Sequence, residues 1–353
     1  MICAMASRRD SSRRPRARPV WVDASDEELL ALRFRDLGLR LQGTWLEAVL
    51  AALHRDLSRR GLRFRPHVWL GQEWFSPLGV PGFSVPFYLA HPRLMRLERR
   101  LVHEVEGGTR TECLRIMRHE CGHAVQHAYR LHTDPDWRRH FGRSSRTYPA
   151  YYRPRPDSRE FVQHLRLYYA QSHPDEDFAE TFAVWLQPRT RWRRRYAGWP
   201  ALAKLEYVDR VMGALEVRPP AVRSRRAVEP IDRLSLTLRE HYSAMRAHYA
   251  PRFPRAYDQE LRQLFSDDSR HAGRELAADF LRRHRAAIRA LIARWLGGHE
   301  FTLELVLDDM IGRCRELKLR VAGREEALLR DFAVLLTAKT VRALHGRRRW
   351  IAL

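Results

Sequence analysis

The sequence has few cysteines and no long apolar run. Its 353 residues include only four Cys, and none of them forms a C-x-x-C pair. This excludes a zinc ribbon and a dithiol redox motif. Cys113 and Cys121 lie on one predicted helix, about 12 Å apart along its axis, which is too far for a disulfide. We therefore expect reduced thiols and a cytoplasmic protein. No apolar run approaches the roughly 20 residues that cross a bilayer, so we expect no membrane span.

Lysine is almost absent, and acidic residues are scarce relative to arginine. The chain has 65 Lys and Arg, of which only three are Lys, against 42 Asp and Glu, and its formal net charge is +23. The surplus is spread along the chain and forms no concentrated nucleic-acid patch. Weak attraction to nucleic acid or to an acidic partner stays open beside an ordinary solvated surface. With 44% hydrophobic residues, the chain is expected to be globular.

Composition and turn residues divide the chain into four parts. Residues 1–20 are rich in Arg and Ser and lack the apolar core of a secretory signal, which predicts a disordered basic arm. Residues 21–217 are expected to form one domain. Residues 218–230 contain a Pro-Pro pair and predict a linker. Residues 231–353 predict a mostly α-helical C-terminal region, whose role the sequence does not indicate.

Two runs inside the first domain have the aromatic and β-branched content of strands. They cover residues 64–75 and 82–89, and Pro86 in the second run favours an edge strand. An edge strand has unpaired backbone groups, so a substrate strand could pair with it around Phe83 to Leu89. Together with the helical patterns on both sides, these runs predict an α+β fold with a small mixed sheet.

The most specific pattern lies on a helix predicted to begin after Gly107-Gly108. Thr109 and Glu112 have the spacing of a capping box, and apolar residues then recur every three or four positions. The helix carries the string His119-Glu120-Cys121-Gly122-His123. Two histidines four residues apart project from one helix face and can hold the same zinc ion. Glu120 can then act as the general base for a zinc-activated water.

A catalytic zinc needs a third protein ligand, and the nearby histidines are weak candidates. His127 continues the spacing but lies about 12 Å from His119 along the helix. His132 and His164 stay open. The better candidate is Glu176, downstream on another predicted helix that begins near Pro174.

Glu176 and Glu180 are one helical turn apart, and each has a chemical role beside a zinc site. Glu176 would be the metal ligand, and Glu180 would accept the free ring N–H of a ligand histidine. The alternative is an ordinary acidic helix face in contact with solvent.

This segment resembles a known family. It reads His173-Pro174-Asp175-Glu176-Asp177-Phe178-Ala179-Glu180-Thr181, which is similar to the H-P-x-E-D-(W/F)-A-E-T signature of bacterial zinc-binding metallopeptidases. Residues 199–213 are similar to the closing helix of that family. The resemblance covers roughly residues 62–217. It implies a zincin-like, gluzincin-type metallopeptidase domain, built around an H-E-x-x-H active-site helix.

The resemblance also implies roles for single residues. In a gluzincin-like toxin protease the first glutamate of the E-x-F-A-E arrangement is the ligand, which favours Glu176 over Glu180. A tyrosine seven residues before that ligand assists the transition state there, and Tyr169 has this spacing here. Tyr168 is an adjacent alternative, and either ring could simply pack in the core. Independently of the resemblance, the Pro- and Tyr-containing loop with Tyr148, Tyr151 and Tyr152 is hypothesised to shape specificity.

These patterns predict a zinc-dependent metallopeptidase with one Zn²⁺ per chain and a protein or peptide substrate. Glu120 would take a proton from the water and deliver it to the leaving amine, and zinc with Tyr169 would stabilise the oxyanion. The alternative is a non-proteolytic protein that keeps the zincin fold and binds through its basic surface and C-terminal helices. Glu120 argues against this alternative, because a purely structural zinc site needs no general base.

Overall fold

The computed structural model describes residues 19–102, 104–149, 152, 154–249, 257–296 and 300–345. The disordered arm expected over residues 1–20 lies outside these ranges except for its last two residues. Within the described ranges, no helix combines the length and the apolar character needed to cross a membrane. Cys113, Cys121 and Cys314 are buried and unbridged.

The fold is built mostly from helices, with one small sheet. In the first part of the chain they are α1 (Asp26–Ala31), α2 (Trp45–Arg59), α3 (Pro92–Leu101), α4 (Arg110–Tyr129), α5 (Pro135–Phe141), α6 (Pro174–Leu186), α7 (Trp192–Arg195), α8 (Ala201–Ala214) and α9 (Leu238–Tyr249). The C-terminal part has α10 (Asp258–Leu264), α11 (Ala277–Arg283), α12 (Arg285–Leu296), α13 (Glu300–Glu316) and α14 (Glu325–His345). The strands are β1 (His67–Gly71) and β2 (Gly82–Pro86).

Local sequence signals explain the ends of the two helices that matter most. The side chain of Thr109 accepts a hydrogen bond from the backbone N–H of Glu112 and caps α4, which is the Thr109 half of the predicted capping box. α4 ends at Tyr129, and the next residue, Arg130, adopts a left-handed conformation. α6 begins with Pro174 at its first position, and the His173 side chain accepts a hydrogen bond from the N–H of Asp175.

The sheet differs from the mixed sheet with an exposed edge that the sequence predicts. β1 and β2 pair in parallel, with His67 opposite Gly82 and Gly71 opposite Pro86. On the other edge of β2, the N–H of Ser84 donates to the carbonyl of Phe75 at 2.8 Å, an isolated antiparallel bridge. All five residues of β2 are buried. The prediction that a substrate strand pairs with residues 83–89 is therefore wrong, because Ser84 already has a partner on that edge and Phe87–Ala90 form a 3-10 helix.

The described side chains form two hydrophobic cores. One core combines residues from Trp21 to Tyr242, and the other combines residues from Tyr257 to Leu336. Residues 231–242, which we expected to begin the C-terminal region, contribute Ile231, Leu238 and Tyr242 to the first core. The first core therefore extends beyond the expected linker at residues 218–230. The division of the chain into domains of separate function stays a prediction.

Candidate metal centre

Helices α4 and α6 pack against each other at very short range. A Cβ atom built on Gly122 would lie 2.8 Å from the Cα of Ala179 and 3.1 Å from its carbonyl oxygen. Real Cβ contacts are longer, so this crossing needs glycine at position 122. The close approach brings the histidine-bearing face of α4 against the first turns of α6.

Three side chains meet at this crossing with their polar atoms together. His123 Nε2 lies 3.2 Å from His119 Nε2 and 3.2 Å from Glu176 Oε2. His119 Nε2 lies 3.0 Å from the same Glu176 oxygen. All three residues are buried, and together they form a group that could hold a metal ion.

The donor set fits zinc in both chemistry and spacing. Two imidazole nitrogens and one carboxylate oxygen are the protein ligands of many catalytic zinc sites. Donors about 2.1 Å from a tetrahedral zinc are about 3.4 Å apart. The three observed separations are only slightly shorter than this.

Burial and the neighbouring charges act in opposite directions on the pKa values of the cluster. Burial lowers the pKa of His119, but its hydrogen bonds to Glu176 and Glu180 outweigh this, and the net pKa is well above the usual value. Burial also lowers the pKa of His123, but the charge and hydrogen bond of Glu176 raise it, and the net pKa is above the usual value. Burial raises the pKa of Glu176, but the two histidines outweigh it and lower the net pKa. Metal ions bind neutral imidazole and ionised carboxylate, so metal affinity at this cluster is expected to depend on pH.

Glu180 lies behind the cluster and contacts no ligand atom that faces the centre. Its Oε1 is 2.9 Å from Nδ1 of His119, and its Oε2 accepts a hydrogen bond from the N–H of Leu165 at 2.8 Å. The side chain is fully buried. A carboxylate in this position fixes the tautomer of the imidazole and leaves Nε2 free for a metal.

All the acidic residues of α6 are buried, so the alternative of a solvated acidic face is wrong. Asp175 accepts hydrogen bonds from Gln126 at 2.8 Å and from Ser144 at 3.0 Å. Asp177 pairs with Lys204 at 2.6 Å. Buried carboxylates are tolerated when each has such partners.

Tyr148 holds the second oxygen of Glu176. Its hydroxyl donates a hydrogen bond to Oε1 at 2.9 Å, and its ring stacks on that of His173 with 3.7 Å between centroids. From the sequence, Tyr148 is predicted only to shape specificity, because a tyrosine in a loop carries no periodic signal. Of its two loop neighbours, Tyr151 lies outside the described residues, and the Tyr152 hydroxyl donates to the carbonyl of Leu167.

The two expected catalytic residues lie beside the cluster. Glu120 is 7% exposed, and its Oε2 accepts a hydrogen bond from the Ser76 hydroxyl at 2.8 Å. The Tyr169 ring centroid is 5.5 Å from that of His119, and Tyr169 lines the cleft over the cluster. Leu167 and Tyr168 adopt left-handed conformations just before it, with φ of 63° and 58°. Tyr168 is not among the residues that line the cleft.

The other histidines considered as ligands lie apart from this group of three. His164 Nε2 is bonded to the carbonyl of Arg115 at 2.9 Å. The ring of His127 is 6.0 Å from that of His132, and burial lowers the pKa of His127 to about 3.

The cluster lies in a cleft of about 950 Å³, and side chains from several elements form its wall. They include Phe75 and Ser76 from the loop after β1, and Met245 from α9. Thr302 of α13 also lines the cleft, so the C-terminal helices reach it. A cleft of this size can enclose several residues of a peptide.

Comparison with known proteins adds one finding. Residues 98–193 match the model of a family described as "Putative zinc-binding metallo-peptidase". This match includes α4 and α6, and it confirms over those residues the family resemblance recognised from the sequence. No curated protein and no solved structure matches the chain.

Proposed function

We propose that this protein is a zinc-dependent metallopeptidase that hydrolyses peptide bonds and holds one zinc ion per chain. The observation that carries the proposal is the buried cluster of His119, His123 and Glu176 at the floor of a cleft, with Glu120 beside it. The cluster lies within the segment that matches a metallopeptidase family. The unbridged cysteines of the chain support our further proposal that the protein works in the cytoplasm.

The three ligand side chains would hold the ion, and Glu180 would orient His119 through the Nδ1 contact. Zinc in such a site supplies the Lewis acidity that activates water and polarises a carbonyl. Tyr169 and Phe75 line the same cleft as the cluster, so a substrate in the cleft would lie against them.

Glu120 would act as the general base. The Ser76 hydroxyl holds one of its oxygens, so the other oxygen is left to take a proton from water and to return it to the leaving amine. The Tyr169 hydroxyl would donate a hydrogen bond to the negative charge that develops on the carbonyl oxygen.

Metal content and cleavage test the proposal together. Elemental analysis of purified protein should give about one zinc per chain, and less in His123→Ala and Glu176→Ala. The wild type should cleave a mixture of denatured proteins, whereas Glu120→Gln should keep zinc and lose cleavage. A wild type without zinc after reconstitution would refute the proposal. Unchanged cellular function of Glu120→Gln would instead favour a binding protein with a zincin fold.

A second candidate function is binding of an acidic partner, which one feature of the surface favours. A hollow of about 390 Å³ is lined by five arginines and only one carboxylate, that of Glu216. The arginines are Arg63, Arg65, Arg218, Arg223 and Arg225. Titration of a labelled poly-glutamate peptide against wild type and Arg63→Ala/Arg225→Ala would test it. Equal, weak binding to both proteins would exclude this surface.

A further inference from the structure

The lining of the cleft has more carboxylates than arginines, whereas the whole chain has more basic than acidic residues. The cleft wall contains eight carboxylates and three arginines, although the chain has a formal net charge of +23. The carboxylates belong to Glu73, Glu98, Glu104, Glu106, Glu112, Glu120, Asp175 and Glu176, and the arginines are Arg115, Arg146 and Arg166. Charges in a concave, partly dehydrated site act more strongly than the same charges on an open surface.

Several of these carboxylates already have partners within the protein. Glu176 belongs to the metal cluster, and Glu120 accepts the Ser76 hydrogen bond. Asp175 is bonded to Gln126 and Ser144. Glu98 accepts a hydrogen bond from the Tyr242 hydroxyl. These four groups are therefore not the ones that would meet a charged substrate.

Three carboxylates on one side of the cleft have little or no internal compensation. Glu104 lies 3.6 Å from Arg166, at the far limit of an ion pair. Glu106 and Glu112 have no ion-pair partner among the described residues. Glu106 is exposed to the cleft, and enclosure by the protein together with repulsion from Glu104, Glu120 and Glu112 raises its pKa to about 7. This side of the cleft is thus short of positive charge.

The cleft also offers apolar and polar contacts beyond the cluster. The side chains of Phe75 and Leu78 line it and are 46% and 80% exposed, which is unusual for large apolar residues. In the wall, Nε1 of Trp74 and Nδ1 of His127 are buried without a hydrogen-bond partner in the described part of the chain. Both residues are more than nine-tenths buried. Unused apolar and polar groups around one cavity indicate a ligand site.

We propose that the cleft takes basic peptides, with arginine or lysine side chains placed against Glu104, Glu106 and Glu112. This substrate class rests on the proposed peptidase function for the reaction, but binding alone can test it. The remainder of the surface repels a cationic peptide, so its attraction has to come from the cleft. An acidic peptide would be drawn to the protein by the overall charge and rejected by the cleft.

Binding is measured on full-length, zinc-loaded Glu120→Gln, which prevents cleavage. Two fluorescein-labelled dodecapeptides differ only in carrying four Arg or four Gln residues, and fluorescence anisotropy gives each Kd. The uncharged Gln peptide is the reference because an acidic peptide could bind the arginine-lined hollow. At about 50 mM salt we expect the Arg peptide to bind about tenfold tighter than the Gln peptide or more, with the difference shrinking at high salt.

A pair of matched double variants locates the effect. Glu104→Gln/Glu106→Gln removes two cleft carboxylates, and Glu206→Gln/Glu326→Gln removes two exposed carboxylates elsewhere. Both are compared at about pH 8.5, above the pKa of Glu106, so that the net charge changes by nearly the same amount. The cleft variant should bind the Arg peptide about tenfold more weakly, and the surface variant should change its Kd less than twofold. The thermal unfolding midpoint of each variant checks its fold, and Glu106→Gln alone replaces the cleft variant if that midpoint drops.

The outcomes separate this inference from the proposed function. Equal Kd values for the two peptides, or equal effects of the two double variants, would overturn the inference even if the wild type cleaves peptides. If the protein binds the Arg peptide selectively but cleaves none of the peptides offered, the inference about the cleft is supported and the proposed peptidase function is refuted. Cleavage by the wild type with a lower KM for the Arg peptide supports both.

Discussion

The Glu180 carboxylate connects the metal cluster to the chain around it, since one oxygen contacts His119 and the other holds the backbone of Leu165. In Glu180→Gln the amide keeps the size of the side chain but loses the charge that polarises the imidazole. We expect zinc affinity to fall about 10- to 100-fold, measured by competition with a chromogenic chelator. Glu206→Gln, an exposed change on α8, is the control. Equal zinc affinity in the two variants would contradict this role.

Two tyrosines contact the cluster differently, so their phenylalanine variants should differ. Tyr148 donates a hydrogen bond to Glu176, and Tyr148→Phe should weaken zinc binding about tenfold, because bonds to charged groups are worth about 1.5–3 kcal/mol. Tyr169 faces the cleft beside His119, and Tyr169→Phe should leave zinc affinity within about twofold while lowering kcat about 100-fold or more. Zinc titration and peptide hydrolysis measure the two effects. The reverse pattern would exchange the two roles.

For single residues, the sequence predicts a site well where the spacing along a helix alone brings two side chains to the same face. The four-residue interval of His119 and His123 and the one-turn interval of Glu176 and Glu180 could each be read without a structure. Ser76 lies 44 residues before Glu120, and a hydrogen bond across that interval has no local signature. The sequence names Tyr148 as a specificity residue but not its hydrogen bond to Glu176, which joins a loop to a helix 28 residues away.

The crossing of α4 and α6 determines whether the ligands meet, and one glycine permits it. In Gly122→Ala the new Cβ would meet the backbone of Ala179, which cannot rotate away as a flexible side chain can. We expect a loss of about 1–3 kcal/mol in unfolding free energy, from overpacking. Zinc affinity should fall as well, because separating the helices moves both histidines from Glu176. Urea unfolding and zinc titration measure the two losses.

Gly312 on α13 is the matched control for this substitution. A Cβ there would meet nothing within 4 Å. Gly312→Ala should therefore be neutral or stabilising by up to about 1 kcal/mol, because alanine is the better helix former. If both alanine variants were equally stable and bound zinc equally well, the close contact at Gly122 would not limit the crossing.

The sequence predicts helices well, because caps and apolar periodicity lie within each helix. It predicts the sheet poorly, because a sheet depends on which strands pair. The caps and apolar periodicity of α4 and α6 are encoded within each helix. β2 reads as an edge strand because it contains Pro86, yet the carbonyl of Phe75 occupies its second edge. Which strands pair depends on contacts between residues far apart in the sequence, and the composition of one strand does not predict those contacts.

For the molecule as a whole, the segment boundary predicted from the sequence does not separate the two hydrophobic cores. A Pro-rich stretch predicts a boundary near residues 218–230, but the chain there stays attached, since the N–H of Val222 donates to the carbonyl of Ala128. The Trp69 indole also donates to the carbonyl of Val228. Proline marks extended backbone but does not show whether that backbone lies against a core.

The contact between α3 and α9 makes the stability of the first core depend on pH. Glu98 is 3% exposed, and burial raises its pKa to about 7, although the Tyr242 hydroxyl donates to it at 2.5 Å. The unfolded chain releases this proton near pH 4.5, so the folded state binds more protons between about pH 4.5 and 7. The contribution of Glu98 is therefore fully present below pH 4.5 and is lost as the pH rises through 7.

Glu98→Gln removes this titration while keeping a side chain that can accept the Tyr242 hydrogen bond. The free energy of unfolding of the variant, relative to the wild type, should rise between pH 4.5 and 8 by up to about 3 kcal/mol, since one pKa unit corresponds to about 1.4 kcal/mol. Urea unfolding of both proteins at the two pH values measures this difference, and other titrating groups cancel in it. Glu206→Gln should show no such change. A difference independent of pH would mean that Glu98 is ionised in the folded protein throughout this range, and that its contact with Tyr242 does not depend on the proton.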